Sequence, residues 1–228
     1  MSERVHNIQG IIWDLDDTLY RVTPALHESM RESVARAVVK MGYDISYTEA
    51  LRLAEESQKT HRLTVKMLVD RFDIQKRDLH IPFHAEMDHL VTEPCPDLPS
   101  AFAKHPDIQH VLITHASRDW ALRMLDHLGI ADFFDPKAVF GLENIDFNHK
   151  HESDYATKMS LDLMGTNPEN TAFAEDRDYN LTIPHDMGLT TVLIDHPSQP
   201  RELPAHVHYR YDRAADFMNT ICKNIKTA

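Results

Sequence analysis

The stretch "IIWDLDDTLY", residues 11–20, decides how this chain folds. Its apolar beginning, residues 11–13, is typical of a buried strand, and Asp14, Asp16 and Asp17 follow at once. Like charges at this distance repel each other, and burying them is costly. The stretch therefore predicts a strand that ends at a site for a positively charged ligand.

Further apolar runs have the length of buried parallel strands, and they lie at residues 111–114, 138–140, 171–174 and 191–194. Helical patterns separate the later runs, and each pattern ends at a glycine, Gly129 or Gly165. Strands that alternate with helices of this length favour right-handed βαβ units. The predicted fold class is α/β, with a doubly wound, mostly parallel sheet.

The interval after the first strand breaks this alternation, because it contains helical patterns and no convincing strand. Thr23 followed by Pro24 predicts a helix that ends before Gly42, and Ser46 with Glu49 forms a capping-box pattern for the next helix. We expect a core domain formed by residues 1–21 and 93–228, with a helical domain of residues 22–92 inserted between its first two strands.

The composition disfavours several classes of partner. The 228 residues include 36 acidic residues against 24 Lys and Arg, a formal net charge of −12, which disfavours binding to nucleic acid or an anionic membrane. The N-terminal residues lack a signal peptide pattern and no apolar run approaches a membrane span, so a cytoplasmic location is predicted. Cys95 and Cys222 are expected to be free thiols.

Polar residues follow the predicted strands at the edge where an open parallel sheet binds its ligands. They combine carboxylates, a hydroxyl and an amine, namely Asp14, Asp16, Thr114, Lys150, Glu175 and Asp176. Such a set can hold Mg²⁺ and a phosphate together.

The carboxylates have separate expected roles in this site. Asp14 and Asp176 would offer side-chain oxygens to Mg²⁺, and Asp16 would offer its backbone carbonyl and keep its carboxyl group free. Alternate residues of an extended segment point the same way, so Asp14 and Asp16 should lie side by side while Asp17 points elsewhere. Glu175 is interpreted as a neighbour of the metal rather than a ligand.

The same motifs resemble a known family. "DLDDT", residues 14–18, is similar to the D-x-D-x-T signature of the haloacid dehalogenase superfamily. Thr114, a later lysine and "AEDRDYN", residues 174–180, resemble its remaining motifs. The resemblance implies a Rossmann-like core in which residues 22–92 are a helical cap. "TLY" and "HLGIADFFD", residues 127–135, look most like the pyrimidine 5′-nucleotidase-like branch.

The resemblance implies a phosphatase that works through a covalent aspartyl-phosphate. Asp14 would attack the phosphorus, and Asp16 would protonate the leaving oxygen and then activate water. Thr114 and Lys150 would bind the phosphoryl oxygens, and Asp176 would complete the Mg²⁺ site.

The chain departs from the family pattern at two positions. Thr114-His115 stands where Thr-Asn is common, and Lys150-His151 stands where Lys-Pro is common. The spacing from the lysine to the following glycine leaves Lys158 as a rival to Lys150.

Other residues receive weaker expectations. We hypothesise that His115 binds the phosphate and tunes its binding with pH near neutrality. Tyr20 is expected to face the entrance and contact substrate, and Asn180 to steady the acidic loop. His80, His84 and His89 are interpreted as scattered surface histidines, because Pro82 disturbs the helix that a metal-binding face would need.

The sequence thus favours a Mg²⁺-dependent hydrolase of a small phosphomonoester, for example a nucleoside monophosphate, acting as a monomer or homodimer. Two alternatives stay open: a weak or inactive homologue that binds a phosphorylated ligand, and a haloacid dehalogenase-type hydrolase. Asp16 argues against the dehalogenase, since that reaction needs no general acid there. A phospho-signalling receiver disagrees with the first-strand position of Asp14 and with the long helical insertion.

Overall fold

The computed structural model describes residues 7–61, 63–93, 95–195 and 202–221. The chain divides into two compact units, one formed by Met1–Arg21 with Pro94–Ala228 and the other by Val22–Glu93. Cys95 is a free cysteine, whereas Cys222 lies outside the described residues, as does the segment 1–6 that bears on the signal peptide.

A six-stranded sheet forms the centre of the first unit, in the order β3-β2-β1-β4-β5-β6. Its strands are β1 Gly10–Trp13, β2 Gln109–Ile113, β3 Val139–Phe140, β4 Thr171–Glu175, β5 Thr190–Ile194 and β6 Tyr209–Tyr211. Every neighbouring pair is parallel. Parallel strands need crossover connections, so the helices between them cover the sheet and the predicted α/β class is confirmed.

The position of β1 explains its composition. It pairs with β2 on one side and β4 on the other, and all of its residues are buried. Ile12 packs in one core cluster with Val111 of β2, Phe173 of β4 and Leu193 of β5. The acidic segment therefore begins at the middle of the sheet, where the ends of the flanking strands can contribute to the same site.

This unit has five α-helices in the described residues, of which α6 and α7 correspond to the two predicted helical patterns. They are α5 Leu98–Ala103, α6 Arg118–His127, α7 Tyr155–Met164, α8 Thr182–Asp186 and α9 Ala214–Thr220. Gly165 ends α7 in a left-handed conformation, with φ 62°. The edge strand β6 was not predicted, because only three residues pair there and they carry no apolar run.

The second unit is helical, with α1 Pro24–Lys40, α2 Tyr47–His61, α3 Lys66–Phe72 and α4 Lys76–Ala85. Thr23 caps α1 as predicted, its hydroxyl oxygen accepting from the backbone N–H of Leu26. Val34, Val38, Leu53 and Leu68 belong to a core cluster of their own. The unit therefore has its own apolar core.

One expectation about this unit is wrong. Helix α4 continues through Pro82, and His80 and His84 are buried rather than on the surface. Proline removes one backbone hydrogen bond from the helix. In the same helix, Nδ1 of His84 lies 2.7 Å from the carbonyl oxygen of His80, a side-chain contact beyond the backbone hydrogen bonds. Among the residues that the structure describes, no helix is both long and apolar enough to span a bilayer.

Candidate active site

The candidate site lies at the carboxyl ends of the central strands. Asp14 continues β1, and its backbone N–H donates to Ala174 in β4 at 2.9 Å. Thr114 follows β2 and donates in the same way to Phe140 at 2.9 Å. Glu175 is the last residue of β4. Parallel register therefore brings these predicted positions to one edge of the sheet.

The chain turns away sharply after the first two aspartates. Asp17 adopts a left-handed conformation with φ 62°, which aspartate tolerates better than most residues. Thr18 returns toward the strand end, and its hydroxyl donates to Oδ2 of Asp14 at 3.1 Å. The threonine of the motif thus orients the carboxylate of Asp14.

Lys150 is the lysine that the fold brings to Asp14. Its buried ammonium group contacts Oδ1 of Asp14, lies 2.6 Å from Oε2 of Glu175 and donates to the carbonyl oxygen of Ile113 at 3.2 Å. Burial disfavours the charged form, yet the two carboxylates raise the pKa of Lys150 above its ordinary value. Lys158 instead lies on α7, 63% exposed and paired with Asp154.

The carboxylates outnumber the cations that neutralise them. Burial, followed by the charge of Glu175, raises the pKa of Asp14 to about 7 even though Lys150 opposes the shift. Burial, Glu175 and Asp14 raise the pKa of Asp176 to about 9. Burial also tends to raise the pKa of Glu175. The charge of Lys150 opposes it, and the pKa of Glu175 is lowered overall. Without a further cation the carboxyl groups of Asp14 and Asp176 therefore tend to keep their protons, and a bound cation would favour their ionised forms.

The donor set fits a hard divalent cation. Asp14, Glu175 and Asp176 each offer one carboxylate oxygen, and these three oxygens lie within 4.8 Å of one another. Oδ1 of Asn180 is buried and has no partner among the described residues, although its side chain is hydrogen-bonded to Glu175. An all-oxygen set with an unsatisfied amide oxygen beside it suits Mg²⁺ and its bound water. Arg177 lies on the rim, with Nε 2.9 Å from Oδ2 of Asp176.

The side-chain cluster differs from the predicted metal set of Asp14, Asp16 and Asp176. Glu175, interpreted from sequence as a neighbour, belongs to the cluster, whereas the side chain of Asp16 does not. The reason is the strand register, which places the end of β4 directly beside the end of β1. The predicted use of the Asp16 backbone carbonyl stays a prediction.

Asp16 makes a different set of contacts. The hydroxyl of Tyr20 and Nε1 of Trp120 both donate to its Oδ1 atom, the indole at 3.3 Å. Burial raises the pKa of Asp16, and these two hydrogen bonds oppose the rise. Tyr20 is 4% exposed. Its hydroxyl is engaged by Asp16, and the expectation that Tyr20 faces an entrance and contacts substrate stays a prediction.

His115 lies beside the site but does not behave as expected. Its Nε2 atom accepts from the backbone N–H of Lys150 at 3.4 Å, and its ring meets that of His149 edge-on at 4.9 Å. Burial, then the charge of Lys150, lowers its pKa to about 3. The structure contradicts a titration of His115 near neutrality. His151 is exposed and meets the ring of Tyr179 at 5.3 Å.

Sequence reasoning missed two features of the site. Trp120 fitted the apolar periodicity of α6, so its indole N–H was not considered as a donor to an aspartate. The pairing of Glu175 with Lys150 was also missed, although the adjacent acids of "AED", residues 174–176, were a signal that both could serve the site.

A comparison with protein families decides the relationship. The family model for haloacid dehalogenase-like hydrolases matches residues 8–182. This chain belongs to that family of hydrolases. The match includes the acidic segment after β1, Thr114, Lys150 and the acidic pair at the end of β4.

Haloacid dehalogenase-like relatives agree over most of the chain. A glyceraldehyde 3-phosphate phosphatase from Methanocaldococcus jannaschii is 25% identical over 198 residues, which cover 82% of this chain and 85% of that protein. A haloacid dehalogenase-type phosphatase from Thermococcus onnurineus has a similar structure, with a TM-score of 0.60, 16% identity and coverage of 90% of this chain and 94% of that one.

The fold likeness extends to dehalogenases. The L-2-haloacid dehalogenase from Xanthobacter autotrophicus with covalently bound chloropropionic acid has a TM-score of 0.57 and 13% identity, covering 93% of this chain and 97% of that one. At such identities the likeness shows a shared fold, and the reaction has to be argued from the residues of the site.

Proposed function

We propose that this chain is a Mg²⁺-dependent phosphatase that hydrolyses a small phosphomonoester through an aspartyl-phosphate on Asp14. The observation that supports it most is the buried ammonium of Lys150 in contact with Asp14, at the strand ends where Thr114 and the acidic pair also lie. A preorganised cation in a buried site stabilises charge that develops during phosphoryl transfer.

The first step forms a bond from a carboxylate oxygen of Asp14 to phosphorus and breaks the bond to the leaving oxygen. Thr18 donates to one oxygen of the Asp14 carboxylate and Lys150 contacts the other, so the carboxylate is oriented from both sides. Asp16 gives its proton to the leaving oxygen, and in the second step it takes a proton from the attacking water. The phosphoryl group thereby passes to water and Asp14 is regenerated.

The phosphoryl oxygens are bound by Thr114 and Lys150 in this proposal. The Thr114 hydroxyl accepts from the backbone N–H of Ala116 at 3.0 Å, which leaves its O–H free to donate to a phosphoryl oxygen. All N–H bonds of the Lys150 ammonium have acceptors, namely Asp14, Glu175 and Ile113. A phosphoryl oxygen would therefore share this cation with the carboxylate that attacks it.

Mg²⁺ would be held by Asp14, Asp176 and Glu175, with the backbone carbonyl of Asp16, and when bound it supplies the positive charge that neutralises both nucleophile and phosphate. Asn180 would orient the acidic loop through its hydrogen bond to Glu175. Burial and neighbouring carboxylates raise the pKa values of Asp14 and Asp176, which supports a cation at this position.

The substrate class is proposed from the relative. Its name, glyceraldehyde 3-phosphate phosphatase, supports a small phosphorylated metabolite such as a triose phosphate. A nucleoside monophosphate, suggested by the resemblance to the pyrimidine 5′-nucleotidase-like branch, is the second candidate. We propose that the helical unit, predicted as residues 22–92, is the cap that selects the leaving group, and that the protein acts in the cytoplasm as a monomer or homodimer.

Release of phosphate tests this proposal. The panel comprises glyceraldehyde 3-phosphate, nucleoside monophosphates, sugar phosphates and phosphoglycolate, each with Mg²⁺ or a chelator. Asp14→Asn should abolish turnover, and Asp119→Asn is the matched control because Asp119 is 67% exposed on α6. Metal-dependent turnover that Asp14→Asn abolishes would support the phosphatase. Turnover that survives in this variant, or chloride release from 2-chloropropionate instead of phosphate release, would contradict it.

A further inference from the structure

The carboxyl group of Asp16 is held asymmetrically. Both of its hydrogen-bond donors, the Tyr20 hydroxyl and Nε1 of Trp120, are directed at Oδ1. Tyr20 is 4% exposed and Trp120 is fully buried. Two buried side chains from separate parts of the core unit thus meet at one oxygen atom.

Each donor is fixed by its own backbone. Tyr20 pairs with Asp16 in an isolated parallel bridge, which closes the turn made by the left-handed Asp17. Trp120 lies in the first turn of α6, where its backbone N–H donates to the capping hydroxyl of Ser117 at 3.3 Å. Both donor side chains are buried and start from anchored backbone, so the fold itself orients the carboxyl group.

The other oxygen of Asp16 is in a different position. No described residue donates a hydrogen bond to Oδ2, and Oδ2 is not among the buried polar atoms that lack a partner. It therefore keeps some accessible surface and remains available to a further partner. Burial and the negative charge of Asp16 also raise the pKa of Tyr20 well above its ordinary value, so Tyr20 keeps the proton that it donates.

We propose that Tyr20 and Trp120 are positioning residues that hold Asp16 through Oδ1 and make Oδ2 the oxygen that exchanges protons. This inference rests on the proposed phosphatase reaction. In the first step the proton of Oδ2 passes to the leaving oxygen as that oxygen separates from phosphorus. In the second step a proton of the attacking water passes to Oδ2 while the bond from phosphorus to Asp14 breaks.

The physical basis is orientation. The last torsion of an aspartate side chain is broad and roughly two-fold, so an unrestrained carboxyl group rotates. Proton transfer requires hydrogen-bond reach and alignment with the leaving oxygen. Two donors to Oδ1 restrict this rotation and fix the direction of Oδ2. The loss of rotational entropy then occurs on folding rather than during the reaction.

The test compares leaving groups. Aryl phosphates from 2,4-dinitrophenyl phosphate through 4-nitrophenyl phosphate to phenyl phosphate differ in how much the leaving oxygen needs a proton. The quantity measured is kcat/KM, which for this two-step reaction reports only the steps up to release of the leaving group. The variants are Tyr20→Phe and Trp120→Phe, each assayed with Mg²⁺ beside wild type.

We expect a loss that grows with the basicity of the leaving group. Each variant should reduce kcat/KM for phenyl phosphate by about 10-fold or more, a part of the 10²–10⁴ typical of a general acid, and reduce it by less than about 3-fold for 2,4-dinitrophenyl phosphate. A purely structural role would reduce kcat/KM by the same factor for every leaving group. Equal losses across the series, or no loss, would overturn the proposal.

Matched controls separate this effect from loss of packing. Trp13→Phe removes another fully buried indole, which donates to His110 at 3.1 Å and not to the site. Tyr211→Phe removes another buried tyrosine hydroxyl, which accepts from Thr220 at 2.9 Å. Neither control should change the dependence on the leaving group, and a change as large as that of the test variants would count against the proposal.

Two further outcomes are distinguishable. If Trp120→Phe does not fold, as judged by thermal unfolding, Tyr20→Phe carries the same test alone. If wild type releases phosphate from neither the aryl series nor the metabolite panel, the proposed phosphatase function fails, and this inference fails with it. An active wild type with parallel losses in the variants refutes the positioning role only.

Discussion

Nζ of Lys150 lies 2.6 Å from Oε2 of Glu175, and both residues are buried. A buried carboxylate that is paired in this way is difficult to replace, because removing one partner of such a pair leaves an uncompensated charge in a poorly solvated place. This pair therefore connects the stability of the core unit to the chemistry of its site.

Replacing the two lysines should separate their roles. Lys150→Met leaves Asp14 and Glu175 without their cation, so the free energy of unfolding should fall by about 3 kcal/mol and phosphatase activity by about 100-fold or more. Lys158→Met removes an exposed pair with Asp154 and should change stability by less than about 0.5 kcal/mol. Urea unfolding and phosphate release measure both effects. Equal effects of the two variants would contradict the assignment of Lys150.

Removing Arg177 should strengthen Mg²⁺ binding. Its guanidinium group pairs with Oδ2 of Asp176 and so competes with a cation for that carboxylate. Because Arg177 is 60% exposed, the gain should be modest, about 2- to 5-fold in Kd for Arg177→Gln. Calorimetric titration with Mg²⁺ measures it without an activity assay. Arg210→Gln, which breaks a pair with Asp195 elsewhere, is the control. Unchanged or weaker binding in Arg177→Gln would show that the arginine does not compete.

His115 should not set the pH dependence of the reaction. Its pKa lies near 3, so the imidazole stays neutral over the range from about pH 5 to 8 in which histidines ordinarily titrate. The pH–rate profile of His115→Asn should therefore have the same shape as that of wild type. A limb near neutrality that disappears in this variant would restore the hypothesis drawn from sequence.

His110 should make the protein less stable in acid. Burial lowers its pKa from 6.5 to about 3, and it accepts a hydrogen bond from Trp13 among the rings of Phe102 and Phe134. The folded state therefore binds this proton less readily than the unfolded chain. Its contribution to stability is complete above about pH 6.5 and is lost as the pH falls toward 3, at up to about 1.4 kcal/mol per pH unit.

His110→Phe removes the group that takes up a proton when the protein unfolds in acid. The free energy of unfolding, measured in urea at a series of pH values, should then fall less steeply in acid by about one proton. At neutral pH the variant should be less stable by about 1–3 kcal/mol, since the Trp13 indole loses its acceptor. An unchanged slope would mean that His110 titrates normally in the folded protein.

The α/β fold and the strand ends at which the site forms were predictable from the amino-acid sequence alone. A short apolar run such as that of β1 is a local signal, and parallel strands present their carboxyl ends at one edge whatever else the chain does. Asp14, Asp16 and Thr114 could therefore be placed before any coordinates were known. The helix α1 was equally predictable, because its cap at Thr23 depends only on neighbouring residues.

Contacts between side chains that are far apart along the chain could not be predicted before the fold was known. Lys150 is 136 residues from Asp14 and Trp120 is 104 residues from Asp16, and no local periodicity encodes such pairings. Tertiary packing also carried α4 through Pro82 and buried His80, against the local preference. Burial moreover shifts pKa values by desolvation, as at His115, and desolvation exists only once the chain has packed around the group.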